Sequence, residues 1–250
     1  DLLDPEALPR LRELAELLKS QGREEEAEQR MVEILELDPG DPAATSFLER
    51  RYRARSDWPA LYQLLAGVGG SQKLSAAARV VRLREAAGIA EERLRDFDGA
   101  ISAYKLATIL DPDSGELARH LERLLISAER WDDLIERIEA DAACAETPRE
   151  KIDLLRRIAD IHWGRRSDTN AAADTYRRVL ELAPDDEKAL ETLDEIYLRE
   201  SDWDNLVGIL KRRESASPIR TEKAKLCLRL AAVLHEQLED LQRLVRRSDV

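Results

Sequence analysis

Apolar side chains recur along this chain at steps of three and four residues, with charged side chains filling the gaps between them. Leu11, Leu14, Ala15 and Leu18 form one such stripe, and Ala27 and Met31 begin another. Positions four apart lie over one another on a helix, so each stripe predicts a helix with one buried face. The stripes have regular ends. Pro39, Pro112 and Pro184 follow Leu-Asp, Leu-Asp and Leu-Ala, with an Ala twelve residues before each (Ala27, Ala100, Ala172) and a large side chain eight before (Met31, Tyr104, Tyr176). Proline is disfavoured inside a helix and biases the preceding residue away from helical angles, so each signal is a helix stop followed by a turn. A further stripe opens after each turn: Leu48 and Tyr52, Leu121 and Leu125, Leu193 and Tyr197.

The stripes belong to a long internal repeat. Trp58, Trp131 and Trp203 stand in matching contexts at spacings of 73 and 72, and the three prolines keep the same spacings. Repetition of this length marks a solenoid, in which each unit buries its apolar face against the next. Every long unit holds two helical hairpins. The predicted fold is all-α, a right-handed α-α superhelix of about six hairpins near 8–41, 42–70, 73–114, 115–147, 148–186 and 187–219. A terminal helix at 221–238 and a partial partner reaching 250 complete this single array. Gly67 to Ser71, Ala142 to Thr147 and Ser215 to Pro218 read as connecting loops.

These positions resemble the tetratricopeptide repeat (TPR) family in its long, bacterial-type arrays. Pro5 and Pro39 are 34 residues apart, and Leu11, Leu14, Ala15, Leu18, Gly22, Ala27, Met31 and Pro39 look like one full repeat. The family places a small residue midway along the first helix and another early in the second. Ala15, Ala87, Ala159 and Ala231 match the first place, and Ala27, Ala100 and Ala172 the second. The intervening hairpins depart from this, with Glu49, Glu122 and Asp194 at the first place and Leu61, Leu134 and Leu206 at the second, which predicts looser or shifted packing there. The ends also look unfinished. Asp1 to Pro5 matches the close of a preceding repeat and Val250 arrives before the last helix has a partner, so a longer natural protein is expected, with uncapped ends open to self-association.

Composition narrows the function classes. A formal charge of −12 argues against nucleic acid or an anionic membrane surface as partner, since both need a cationic footprint. No apolar run approaches the roughly 20 residues that span a bilayer, so membrane insertion is not expected. Cys144 and Cys227 are far apart and lack a CxxC partner, which implies neither a disulfide framework nor a structural zinc and favours a cytoplasmic setting.

No catalytic or cofactor motif emerges, and the chain reads as a non-enzyme with no cofactor and no metal. Gly67, Gly69 and Gly70 lack the Gly-Lys-Ser/Thr ending of a phosphate loop. Asp111 to Gly115 with Glu122 only faintly imitates a calcium loop, its glycine one place early. His120, His162 and His235 fall in different hairpins, with His162 at an inward aromatic position. The acid pairs Asp132-Asp133 and Asp185-Asp186 sit where helices begin, and carboxylates there satisfy free N–H groups.

In α-solenoids the first helix of each hairpin lines the inner curve, so its exposed residues are the natural ligand contacts. Those positions carry Arg12, Arg50, Arg53, Arg84, Arg119, Arg123 and Arg156, a basic stripe on an acidic chain. Guanidinium groups grip carboxylates in two-pronged fashion, which points to a protein or peptide ligand with acidic character. The bland alternative pairs the same arginines with Glu and Asp of neighbouring helices. Trp163 is unrepeated, its sister places holding Glu91 and His235, and so is either a groove anchor or packing under the Ser167–Asn170 turn. Trp58, Trp131 and Trp203, being repeated, read as core. The resemblance implies a scaffold or adaptor that binds proteins along a groove. A targeting or regulatory arm of a larger enzyme or kinase is the second reading, and an RNA-binding helical repeat the third.

Overall fold

The computed structural model describes residues 7–217 and 219–248. Pro5, with the rest of the opening segment, and Pro218 lie outside these, as do the final two residues. Thirteen α-helices run through the described residues, which contain no strand, and they fall into two compact units meeting at Glu129 and Arg130.

The first unit holds α1 (Ala7–Ser20), α2 (Glu24–Leu37), α3 (Pro42–Arg55), α4 (Trp58–Gly70), α5 (Ala76–Ile89), α6 (Phe97–Leu110) and α7 (Gly115–Ser127). Each helix in it packs on the next along the chain. The second unit holds α8 (Trp131–Cys144), α9 (Pro148–Ile161), α10 (Thr169–Leu182), α11 (Glu187–Glu200), α12 (Trp203–Ala216) and α13 (Arg220–Ser248), again packed in sequence.

Local chemistry sets the helix bounds. α2, α6 and α10 stop before Pro39, Pro112 and Pro184. Asp41, Asp57, Ser75, Asp96, Ser114, Thr147, Asp168, Asp186 and Asp202 cap the next helices, each side chain accepting a hydrogen bond from the backbone N–H three residues on. α3 and α11 both end on a serine in the left-handed conformation, Ser56 and Ser201, before the Asp-Trp that starts the following helix. α5 and α9 each run on into a π-helical turn, Ala90–Leu94 and His162–Arg166. Both turns close in the same way. The amides of Asp96 and Asp168 reach back to the carbonyls of Ala90 and His162, and Arg95 and Ser167 take positive φ.

The core follows the stripes. Ala15, Leu18, Ala27, Met31, Ile34, Ala44, Phe47 and Leu48 form one buried cluster, and Leu61, Leu65, Ala86 and Ile89 another. In the second unit Leu155, Ile158, Ala159, Ala172, Tyr176, Leu193, Leu206 and Leu210 are buried in the same register.

Four expectations are corrected. Gly67 to Gly70 is helix rather than loop, because Gly69 is buried where α4 crosses α5: a Cβ there would lie 2.7 Å from Leu83 Cγ. α8 and α12 likewise extend to Cys144 and Ala216, into segments read as loops. The chain does not turn near residue 238; α13 is unbroken to Ser248, as a segment without Gly, Pro or Asn allows. The hairpins that carry Glu49 and Asp194 do pack more loosely, α3 on α4 and α11 on α12 touching less than α1 on α2, α5 on α6 or α9 on α10, while the two acids themselves are buried and paired with arginines. Trp58, Trp131 and Trp203 each occupy the first position of a helix and are only half-buried, with Arg93 and Arg165 lying over the rings of the first two at 5.0 and 5.7 Å.

Candidate functional site

Within the first unit the first helices α1, α3, α5 and α7 carry the arginines singled out from sequence. Arg12 donates to Asp41 through Nε at 2.9 Å and through a terminal nitrogen at 2.6 Å, and approaches Asp38 at 3.3 Å. Asp41 is buried and already caps α3, one carboxylate oxygen accepting from Ala44 N–H and the other from Arg12. Asp38, also bonded by Lys73, is held below the usual carboxylate range chiefly by that hydrogen bond.

Further along the face, Arg53 bridges Glu49 and Glu85, Arg82 also reaches Glu49, Arg84 pairs with Glu116 at 2.8 Å, and Arg123 straddles both oxygens of Glu91. Successive first helices are thus tied by alternating charge. Arg50 and Arg119 are different. Both are exposed and neither has a carboxylate partner among the described residues; Arg119 bonds only the Gly115 carbonyl of its own helix, at 3.0 Å.

The second unit repeats the device. Arg156 joins Asp153 to Asp186, and Asp186 divides its oxygens between this guanidinium and the N-cap bond from Ala189, as Asp41 does. Lys188 binds Asp160, whose other oxygen accepts from the Tyr176 hydroxyl at 2.6 Å. Burial, reinforced by that carboxylate, pushes the Tyr176 hydroxyl far above its ordinary range. Asp194, 1% exposed, accepts from Arg213 at 2.5 Å and Arg229 at 2.6 Å through a single oxygen. Trp163 is half-buried on its π-helical turn, with Arg199 over its ring at 5.7 Å.

The structure therefore brings five of the seven candidate arginines, Arg12, Arg53, Arg84, Arg123 and Arg156, onto carboxylates and leaves two without one. Sequence spacing could not give those partners, because the bonded acids lie 29 to 32 residues away on other helices.

The opposite side of the hairpins, which sequence reading did not consider, carries two grooves at equivalent places. In the first unit α2 and α4 flank a cavity of about 370 Å³ floored by Leu48 and Tyr52 of α3, with Val32, Leu35, Glu36, Ala60, Gln63 and Leu64 around it. In the second, α10 and α12 flank one of about 450 Å³ over Tyr197 of α11, lined by Arg177, Leu180, Glu181, Asn205, Gly208 and Ile209. Each of these residues sits 145 places after its counterpart.

The histidines do not converge. His120 stacks on Tyr104 at 5.7 Å in the first unit, whereas His162 and His235 lie on the π-helical turn after α9 and on α13. Burial lowers the His162 pKa, favouring the neutral ring. Among the described residues no group of three or more His, Cys, Asp or Glu is placed to hold a metal ion, and no helix is long and apolar enough to cross a membrane.

No protein-family model and no curated protein matches the chain. Among solved structures it is similar to MamA, at 16% identity over 70% of this chain and 95% of that one, with a TM-score of 0.37. It is similar also to the TPR domain of P58(IPK), at 16% identity over 92% of this chain and 66% of that one, TM-score 0.33, and to yeast Tom70, at 14% over 85% and 44%, TM-score 0.36. These are likenesses of fold and say nothing of ligand or partner. The chain is an all-α helical-repeat protein, as its helix order and sequential pairing define.

Proposed function

We propose that the chain is a non-catalytic protein-interaction scaffold that binds a protein or peptide partner with acidic groups on its first-helix face. The observation that carries this reading is the pair Arg50 and Arg119, exposed and without carboxylate partners on a face where the neighbouring arginines are neutralised, in a chain of net charge −12. A guanidinium left without a carboxylate keeps its donors for a ligand. Arg84–Glu116, Arg123–Glu91 and the Arg53–Glu85 contact involve exposed guanidinium groups, contribute roughly 0–1 kcal/mol each and exchange intramolecular for ligand carboxylates at little cost, whereas Arg53 also holds the buried Glu49. Arg12 and Arg156 have a structural part as well, since each holds a helix-capping Asp. Trp163, half-buried under Arg199, offers an aromatic anchor in the second unit.

The test is affinity capture with the Arg50→Glu and Arg119→Glu double variant beside the wild type, the bound proteins identified by mass spectrometry. Loss of the acidic partners from a variant with wild-type circular dichroism supports the reading. An unchanged set of partners overturns it.

A further inference from the structure

The two outer grooves share a scaffold and differ at several lining positions, Ala60 against Asn205, Gln63 against Gly208, Leu64 against Ile209, Arg212 present only in the second, and, with the largest change of chemistry over the tyrosine, Val32 against Arg177. In the second unit Arg177 lies over the Tyr197 ring at 5.5 Å, donates from Nε to the Tyr197 hydroxyl at 2.8 Å, and pairs with Asp174. That guanidinium covers the tyrosine from within the chain. In the first unit the equivalent residue is Val32, 39% exposed, and no cationic side chain of the described residues lies over the Tyr52 ring. Leu35 and Leu64 are only half-buried beside it. The slot therefore leaves an apolar wall and an aromatic face in water, the features that mark a docking surface when contiguous.

Charge selects the occupant. α2 carries Glu25, Gln29, Val32 and Glu36 at helical spacing along its outer side, and a second cavity lined by Glu25, Glu28, Gln29, Val32, Glu33 and Arg55 adjoins the first at Val32. Glu28 is paired with Arg51 and Arg55, and Glu33 with Arg30, but Glu25 and Glu36 have no ion-pair partner among the described residues. Glu36 has a counterpart in Glu181 of the second groove.

We propose that the α2–α3–α4 groove docks a partner-protein segment bearing an arginine beside a large apolar side chain. The apolar group fills the slot between Val32, Leu35 and Leu64, and the guanidinium lies over Tyr52 and faces Glu36, in the place Arg177 takes over Tyr197. This surface is separate from the first-helix face and takes ligands of opposite charge.

The test uses fluorescence anisotropy with the whole chain and two labelled dodecapeptides, one repeating Arg-Leu pairs at helical spacing and one with Glu in place of Arg. The Arg-Leu peptide is expected to bind more weakly as salt rises. Val32→Arg, which supplies the guanidinium from the chain itself, is expected to weaken that binding about tenfold or more, and Glu36→Lys severalfold. Both positions are exposed, so the folded state should survive either change. Arg50→Glu with Arg119→Glu should leave this binding intact, which separates it from the first-helix reading. Absence of binding up to about 1 mM, a Kd too weak for a docking site, overturns the proposal. So does equal binding of the Glu peptide by the Arg50→Glu and Arg119→Glu double variant, in which the first-helix face no longer attracts it, or wild-type affinity for the Arg-Leu peptide in both Val32→Arg and Glu36→Lys.

Discussion

The α2–α4 and α10–α12 segments are the same construction made twice, 145 residues apart, with the shared positions devoted to fold. Asp41 and Asp186 cap, Ser56 and Ser201 turn, Leu48 and Leu193 fill the core, and Tyr52 and Tyr197 floor a groove. Glu49 and Asp194 are buried acids that draw guanidinium groups from the following first helix, Arg82 on α5 and Arg229 on α13. The segments part company on the outside. Val32 leaves open what Arg177 closes, and Met31 leaves apolar what Tyr176 makes polar through its bond to Asp160. What repeats builds the hairpins; what does not repeat is free to be specialised.

The buried acids give the largest expected effect. Replacing one partner of a buried ion pair strands the other charges, and Asp194→Ala should cost about 3 kcal/mol, towards the lower end because Arg213 and Arg229 reach water. Glu49→Ala, with more exposed partners, should cost about 1.5 kcal/mol, the range of a hydrogen bond to a charged group. Urea unfolding followed by circular dichroism would show the order, and a larger loss at Glu49 would break the comparison.

Alkaline titration sharpens it next. Burial raises the pKa of Tyr52, Tyr62, Tyr104, Tyr176 and Tyr197, so above about pH 10, where unfolded tyrosines ionise, the unfolded state binds fewer protons than the folded one. Stability is then fully present below that pH and falls as pH rises. Tyr176→Phe should flatten part of this fall, because Tyr176 has the largest upward displacement, while costing about 1.5 kcal/mol at neutral pH for the lost bond to Asp160. A subtler alkaline effect is due at Tyr197. Arg177 and its hydrogen bond lower that hydroxyl against burial, so Arg177→Val should move its ionisation upward in a spectrophotometric titration.

The smallest effect is acidic. A hydrogen bond from Arg178 holds Glu139 below its ordinary range, so its contribution is present above the unfolded value of about pH 4.3 and lost as pH falls through the lowered one. The pair is partly exposed, and Glu139→Gln should cost no more than about 1 kcal/mol at pH 7, vanishing at pH 2.

Much of the helical architecture was legible because it rests on local rules. Prolines, Asp caps and three- and four-residue stripes act over one or two turns, and the 72- and 73-residue recurrence announces the array. Gly67 to Gly70 was misread because glycine at a close helix crossing and glycine in a loop look alike without knowledge of Leu83. The π-helical turns left no distinctive composition. The candidate arginines lie on the helices expected, but most of their partners lie about a repeat away, where sequence gives no register. Val32 carried no signal of its own; only superposing the two segments shows that it stands where a guanidinium otherwise lies.

The two proposed surfaces differ in place and sign: arginines on first helices, and an apolar, acid-rimmed groove between α2 and α4. An NMR titration of arginine Nε–H and valine methyl signals in the whole chain, first with the Glu-Leu dodecapeptide and then with its Arg-Leu counterpart, addresses both surfaces at once. The acidic peptide should shift Arg50 and Arg119, and the basic one Val32. Shifts of one set of signals by both peptides, or of neither set by either, would contradict this division.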